Sequence, residues 1–151
     1  KTSDKEEIHE MAIFGKSDKK VMNLENGFMT YFNNAVKKYN KNLWLDGATE
    51  LQKFARAYLD AIAIKENISA SKGQSRYNDI IDALKTASLI SEQDEVFLKS
   101  CLGKQNYMQM AIVQPRLNTA YNYIAEYQLH YYPEWCAALK EQPSDPDVVT
   151  V

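Results

Sequence analysis

The chain has 151 residues, of which 45% are hydrophobic, 25% charged and 11% aromatic, with 5 glycines and 4 prolines. This composition is typical of one globular domain and excludes collagen-like, repeat-array and wholly disordered chains. The formal charge of −2 lacks the strong positive field of a general nucleic-acid binder, and no uncharged stretch approaches the roughly 20 residues of a membrane-spanning helix.

Two helices are predicted in the first part of the chain. Ser3 and Glu6 have the spacing of a capping box and predict a short N-terminal helix that Gly15 ends. A long amphipathic helix follows, with apolar residues three and four positions apart. They are Val21, Leu24, Phe28, Phe32, Val36 and Tyr39. The polar run 40–42 ends this helix, because asparagine tolerates the left-handed backbone at a helix terminus.

A second long helix is predicted after a turn at the Asp-Gly pair 46–47. Thr49 and Gln52 fit another capping box, and the apolar pattern continues to about Glu66. The serine-rich stretch 67–74 is predicted to be a surface loop.

Two shorter helices are predicted next. Ser75 is a candidate N-cap for the third helix, and Ser91 with Asp94 has the spacing of a capping box for the fourth. Gly103 is the expected end of the fourth helix. Its predicted core face consists of Val96, Phe97 and Cys101.

The last part of the chain is predicted to contain one long helix and one short helix. Apolar positions continue through 105–132, where Pro115 predicts a kink, or a restart near Gln114. Pro133 is expected to open the last helix, and residues 142–151 lack any periodic pattern. Because strand patterns are almost absent, we predict an all-α fold: one compact bundle of five to seven amphipathic helices over residues 1–141, followed by a mobile tail.

Signatures of catalysis and metal binding are weak. The chain has no nucleophile-elbow, glycine-rich phosphate loop or Cys-x-x-Cys pattern. Glu6 and His9 have the spacing of a carboxylate–histidine metal ligand pair, but the second such pair is missing, so we expect no metal or other cofactor. His130 is interpreted as a partly buried ring among neighbouring tyrosines. Carboxylates that a two-carboxylate hydrolase could use are Glu50, Asp60, Asp79 and Asp82.

The two cysteines, Cys101 and Cys136, allow two interpretations. In an oxidising compartment they could form a disulfide between the fourth and last helices, and in the cytosol they would be ordinary buried thiols. The even count, and a first residue that is not Met, favour the disulfide and a periplasmic or secreted location. Residue usage resembles that of an AT-rich genome and favours a bacterial source.

Tyrosines are concentrated near the C-terminus. Tyr123, Tyr127 and Tyr131 are four residues apart and form one helical stripe. Such a stripe is typical of a wide core face, of a protein-binding surface or of a ligand pocket. Charge is also uneven, with six lysines and two acidic residues over 16–41 against one lysine and five acidic residues over 120–151.

Three functions are therefore considered. The leading hypothesis is a non-enzymatic interaction domain, of the inhibitor or immunity-protein type, that binds another, basic protein. Its predicted contact residues are Tyr123, Glu126, Tyr127, Tyr131, Glu134 and Trp135. The second hypothesis is a bundle that binds an apolar or aromatic small molecule among Phe97, Met108, Met110 and Tyr121. The third is the two-carboxylate hydrolase.

Overall fold

The computed structural model describes residues 19–103 and 110–139, with side chains from residue 114 onward in the second range. These residues form six α-helices and no strand, which confirms the all-α bundle. The helices are α1 (Lys19–Asn40), α2 (Trp44–Lys65), α3 (Arg76–Thr86), α4 (Glu92–Leu102), α5 (Met110–Tyr131) and α6 (Pro133–Leu139). The predicted N-terminal helix and the predicted C-terminal tail lie outside the described residues.

A tight connection joins α1 to α2. Asn42 has a φ of 62°, and its amide donates to the Tyr39 carbonyl at 3.0 Å. The Leu43 amide donates to the Lys38 carbonyl at 2.9 Å. Asparagine thus ends α1 in the left-handed conformation, as the sequence predicts, and only three residues separate the two helices.

The start of α2 differs from the prediction. The Asp-Gly pair 46–47 lies within the first turn of α2 rather than in a turn before it. Thr49 is also helical, and its hydroxyl donates to the Leu45 carbonyl at 3.0 Å instead of capping the helix. The reason for the glycine is tertiary: the ring of Tyr39 packs directly against Gly47.

Substitution of Gly47 by alanine should therefore destabilise the protein. The new Cβ would lie 2.6 to 2.7 Å from three atoms of the Tyr39 ring, and that ring is buried. Overpacking costs about 1–3 kcal/mol, while alanine regains about 1 kcal/mol of helix propensity. We expect a net loss of up to about 2 kcal/mol in urea unfolding of Gly47→Ala.

Gly27→Ala is the matched control for this prediction. Gly27 is also helical, but its added Cβ would lie 3.6 Å from Tyr31, an ordinary contact. This variant should gain up to about 1 kcal/mol. Equal changes in the unfolding free energy of both variants would show that the Tyr39 contact is unimportant.

The helix caps in the middle of the chain agree in part with the prediction. Ser91 and Asp94 form the expected capping box, with the Asp94 amide 3.1 Å from the Ser91 hydroxyl and the Ser91 amide 2.9 Å from the Asp94 carboxylate. Gly103 ends α4 as predicted. Ser75 precedes α3, but its hydroxyl donates to the Asp79 carboxylate at 3.1 Å rather than capping a backbone amide.

The prediction for the core face of α4 was wrong for one of its three residues. Val96 is 66% exposed, whereas Leu98 and Cys101 are fully buried and Phe97 is half-buried. The helix packs against α2 through residues three positions apart, which turns residue 96 towards solvent. The apolar character of Val96 alone did not reveal this orientation.

Both prolines of the C-terminal helices lie at informative positions. α5 is a single helix with Pro115 inside it, so the helix does not restart at Gln114. Pro133 is the first residue of α6, as predicted. A proline at that position needs no amide partner, and its fixed φ suits the first helical turn.

The centre of the bundle is α2, which contacts α1, α3 and α4, while α5 packs on α1. Aromatic rings connect these helices. Phe28 on α1 lies 6.1 Å from Phe54 and 5.1 Å from Tyr127, and Tyr58 stacks on Tyr123 at 5.6 Å between ring centroids. Offset and edge-to-face ring pairs add about 0.5–1.5 kcal/mol each beyond area burial. Within the described ranges, no helix is both long and apolar enough to cross a bilayer.

Candidate functional site

The predicted tyrosine stripe on α5 lies mostly inside the protein. Tyr123 is 8% exposed and Tyr127 is 3% exposed, while Tyr131 is half-buried. The first two therefore belong to the core and offer almost no surface to a partner, which corrects their assignment as contact residues. Their position follows from α5 packing this side on α1 and α2, where the rings meet Phe28 and Tyr58.

The opposite side of α5 faces solvent, and we call this side, together with the exposed residues at the start of α6, the α5 ridge. Its exposed residues are Asn118, Asn122, Ala125, Glu126, Leu129, His130, Pro133 and Glu134. They recur every three or four positions, as one face of a helix does. Leu129 is 58% exposed, and the carboxylates of Glu126 on α5 and of Glu134 on α6 are exposed as well. Two of the predicted contact residues, Glu126 and Glu134, thus lie on this surface.

A groove runs along each side of the α5 ridge. The first, here the Trp135 groove, has a volume of about 210 Å³. Its walls come from α1, α5 and α6. They include Met29, Phe32, Tyr121, Ile124 and Trp135. Trp135 is half-buried, so part of the indole remains accessible at this groove.

The second groove, here the Tyr58 groove, has a volume of about 260 Å³. It lies between α2, the end of α3 with the following loop, and α5. Its walls include Tyr58, Leu84, Leu89, Glu126, His130 and Tyr131. The ridge and the two grooves together contain every exposed or half-buried residue of the predicted contact set.

Comparisons of this chain with protein-family models, with curated proteins and with solved structures give no match.

Hydroxyl–carboxylate pairs fix α5 to its neighbours. Tyr123 donates to Asp94 on α4 at 2.6 Å, and Tyr131 donates to Glu66 at the end of α2 at 2.5 Å. Burial and the hydrogen bond to Asp94 raise the pKa of Tyr123. Although burial works to raise the pKa of Asp94, hydrogen bonds from Ser91 and Tyr123 keep it below its usual value. Asp94 is therefore held ionised, and the two hydrogen-bonded pairs set the position of the ridge.

Glu25 on α1 is the buried polar residue of the described chain, at 2% exposed. One carboxylate oxygen accepts from the hydroxyls of Tyr127 at 2.5 Å and Tyr132 at 2.6 Å. The other oxygen is buried without a hydrogen-bond partner. Burial raises the pKa of Glu25, against the opposing effects of the two hydroxyls and of the Lys65 charge.

Sequence reasoning missed Glu25, although a signal was present. The residue lies four positions after Val21 and three before Phe28, both buried, and so falls on the core stripe of α1. Half-buried Leu24 was assigned to that stripe instead. A carboxylate at a core position predicts a buried hydrogen-bond network, because an isolated buried charge is too costly to keep.

His130 occupies a different environment from the predicted one. It is exposed on the ridge, and its ring contacts Tyr131 edge-on at 4.5 Å between centroids. Among the described residues, no three His, Cys, Asp or Glu side chains come together as metal ligands. Glu6 and His9 lie outside those residues.

The two cysteines are free thiols, so the disulfide is not formed in this structure. Cys101 is buried, and burial raises the pKa of its thiol to about 11. That environment matches the alternative interpretation of an ordinary buried thiol and is unsuited to nucleophilic chemistry. Cys136 is half-buried on α6.

The carboxylates proposed for hydrolysis are engaged locally. Asp60 accepts from Arg76 at 2.9 Å and from the Tyr77 hydroxyl at 3.0 Å. Glu50 accepts from Asn34 at 3.1 Å and pairs with a lysine. The Trp135 groove, the Tyr58 groove and a third groove that Asp60 lines each contain at most one of the four proposed carboxylates.

The described residues of the predicted small-molecule site do not come together either. Met108 lies outside the described residues, as does the side chain of Met110. Tyr121 lines the Trp135 groove, whereas Phe97 packs edge-on against Tyr123 at 5.1 Å. The two described members of the set therefore face different parts of the bundle.

Proposed function

We propose that this protein is a non-enzymatic interaction domain that binds a basic protein partner through the α5 ridge. The observation that supports it is the exposed Leu129 on the same face of α5 as Glu126, with a groove on each side. Residues 117–139 contain no lysine or arginine, so the carboxylates of the ridge are not neutralised by cations within the same segment.

The chemistry of the ridge suits recognition by a protein. Interfaces combine a small apolar centre with a polar rim, and aromatic anchors such as tryptophan contribute a large share of binding energy. Leu129 and the accessible part of Trp135 supply the apolar centre, and the two glutamates supply the rim. The grooves on either side are of a size to accept single side chains of the partner.

The charge of the ridge indicates what kind of partner fits. Uncompensated carboxylates attract a basic surface and accelerate its encounter, an effect that salt weakens. A small inhibitor or immunity-type protein that covers a basic enzyme or toxin is the concrete form of this proposal. The hydrogen-bonded tyrosines beneath the ridge hold α5 in position before binding, which lowers the ordering cost.

A paired-variant binding experiment tests the proposal. The wild-type protein and the variant Leu129→Asp/Glu134→Lys would capture proteins from cells of the source organism, and the captured protein would then be purified and titrated. We expect one basic partner, at least tenfold weaker binding by the variant, and affinity that falls as salt rises. Val96→Asp is the control, because Val96 is also an exposed apolar residue but lies on α4.

Two outcomes would contradict the proposal. One is a partner that binds Leu129→Asp/Glu134→Lys as tightly as the wild type, and the other is a partner lost equally in Val96→Asp. Circular dichroism of each variant would confirm that the substituted surface residues leave the helices folded.

A further inference from the structure

Two buried tyrosines of the described chain, Tyr39 and Tyr58, have hydroxyls that make no hydrogen bond to another described residue, and of these Tyr58 lines a groove. Tyr58 is 9% exposed, and its hydroxyl takes part in none of the hydrogen bonds between described residues. Burial and nearby charges are the influences that act on its pKa. Tyr123, Tyr127 and Tyr131 all donate to a carboxylate. The fully buried side-chain atoms without a partner in the described chain are Glu25 Oε1 and Arg116 Nε. The Tyr58 oxygen is therefore reached by solvent, and because Tyr58 lines the Tyr58 groove, its hydroxyl is available there to a ligand that accepts or donates a hydrogen bond.

Negative charge surrounds this hydroxyl. Burial raises the pKa of Tyr58, and the carboxylates of Asp94 and Glu126 raise it further. Glu126 also lines the Tyr58 groove, which places the hydroxyl near the groove. No lysine or arginine lines this groove, and none of the ion pairs between described residues includes Glu126. The polar end of the groove therefore favours a cation that can also donate hydrogen bonds.

The remainder of the groove is apolar and held in place by the backbone. Leu84, Leu89 and Ile90 form the wall opposite α5, and Leu89 is 45% exposed. The Leu89 amide donates to the Leu84 carbonyl at 2.9 Å, and Ser88 between them has a φ of 60°. This closed turn fixes the wall before any ligand arrives.

Aromatic faces complete the groove. The rings of Tyr127 and Tyr131 line it and lie 4.8 Å apart between centroids, and the Lys65 ammonium already lies 5.7 Å from the centroid of the Tyr131 ring. Aromatic faces attract ammonium groups, and a carboxylate beside them adds a charge-assisted hydrogen bond. We propose that the Tyr58 groove binds a small primary amine with an aromatic or apolar body, whose ammonium group contacts Glu126 and the Tyr58 hydroxyl while its body packs on Leu84 and Leu89.

Three probes of the same shape test this proposal. They are 2-phenylethylamine, 2-phenylethanol and 3-phenylpropionate, which carry a positive, a neutral and a negative polar end. Titration followed by NMR of the protein amides and methyl groups would report both affinity and location. We expect the amine to bind most tightly and to shift the signals of Leu84 and Leu89.

Two variants examine the contacts. Glu126→Gln should weaken amine binding by about tenfold or more, because it removes the charge from the hydrogen bond. Tyr58→Phe should weaken it by roughly two- to tenfold, the effect of one hydrogen bond, without loss of thermal stability. Glu92→Gln is the control, since Glu92 is an exposed carboxylate on α4 outside the groove, and it should leave the affinity unchanged.

The proposal is overturned if the amine does not bind at millimolar concentration, if the three probes bind equally, or if Glu126→Gln binds the amine as the wild type does. It shares Glu126 and the Tyr58 groove with the partner-binding proposal, but different variants test the two proposals. Leu129→Asp/Glu134→Lys should retain the amine, and Tyr58→Phe should retain the protein partner, so failure of one proposal is distinguishable from failure of the other.

Discussion

Tyr127→Phe should destabilise the bundle by about 1–3 kcal/mol, whereas Tyr58→Phe should leave its stability unchanged or raise it. Both substitutions remove one hydroxyl from a buried ring. The Tyr127 hydroxyl donates to Glu25 at 2.5 Å, and its loss leaves a buried carboxylate with one donor fewer. The Tyr58 hydroxyl has no such bond, so its removal breaks no hydrogen bond between described residues.

Urea unfolding of both variants at neutral pH measures this difference. Tyr121→Phe serves as a control for the loss of a hydroxyl from a half-buried ring on α5. If Tyr127→Phe were as stable as the wild type, the Glu25 cluster would contribute nothing to the fold. A strong loss in Tyr58→Phe would show that its hydroxyl has a partner in solution, which would remove the main argument for the amine site.

Local patterns in the sequence predicted the helices well because each depends on neighbouring residues. The stripe from Val21 to Tyr39 and the box of Ser91 with Asp94 involve spacings of three and four, which a helix enforces wherever it occurs. The start of α2 was missed because Gly47 is explained by the ring of Tyr39, a contact between two helices. An Asp-Gly pair is typical of a turn, and no local spacing indicates the ring that packs against the glycine.

The candidate site was less predictable, since long-range contacts decide which side of α5 is exposed. The spacing of Tyr123 and Tyr127 places them on one face but does not say whether that face is inside. Tyr127 bonds to Glu25, which is 102 positions away in sequence. The glutamates of the ridge were found because charge favours exposure, whereas the two grooves depend on helices that meet only in the fold.

The last expected result concerns pH: the stability of Glu25→Gln relative to the wild type should increase as pH rises. The pKa of Glu25 is raised from 4.5 by burial, so the folded state holds its proton more tightly than the unfolded state. This contribution is fully present below about 4.5 and is lost as pH rises through the folded pKa. Each unit by which the folded pKa exceeds the unfolded value corresponds to about 1.4 kcal/mol.

Glutamine keeps an acceptor for the hydroxyls of Tyr127 and Tyr132 but does not ionise, so the difference in unfolding free energy isolates Glu25. Asp94→Asn is the control of opposite sign. The pKa of Asp94 is lowered, so its stabilisation is present at neutral pH and is lost as pH falls through the folded pKa. Urea unfolding from pH 4 to 9 measures both differences. A difference for Glu25→Gln that does not change with pH would mean that Glu25 ionises in the folded protein as readily as in water, and the buried carboxylate would then need a cation close to it.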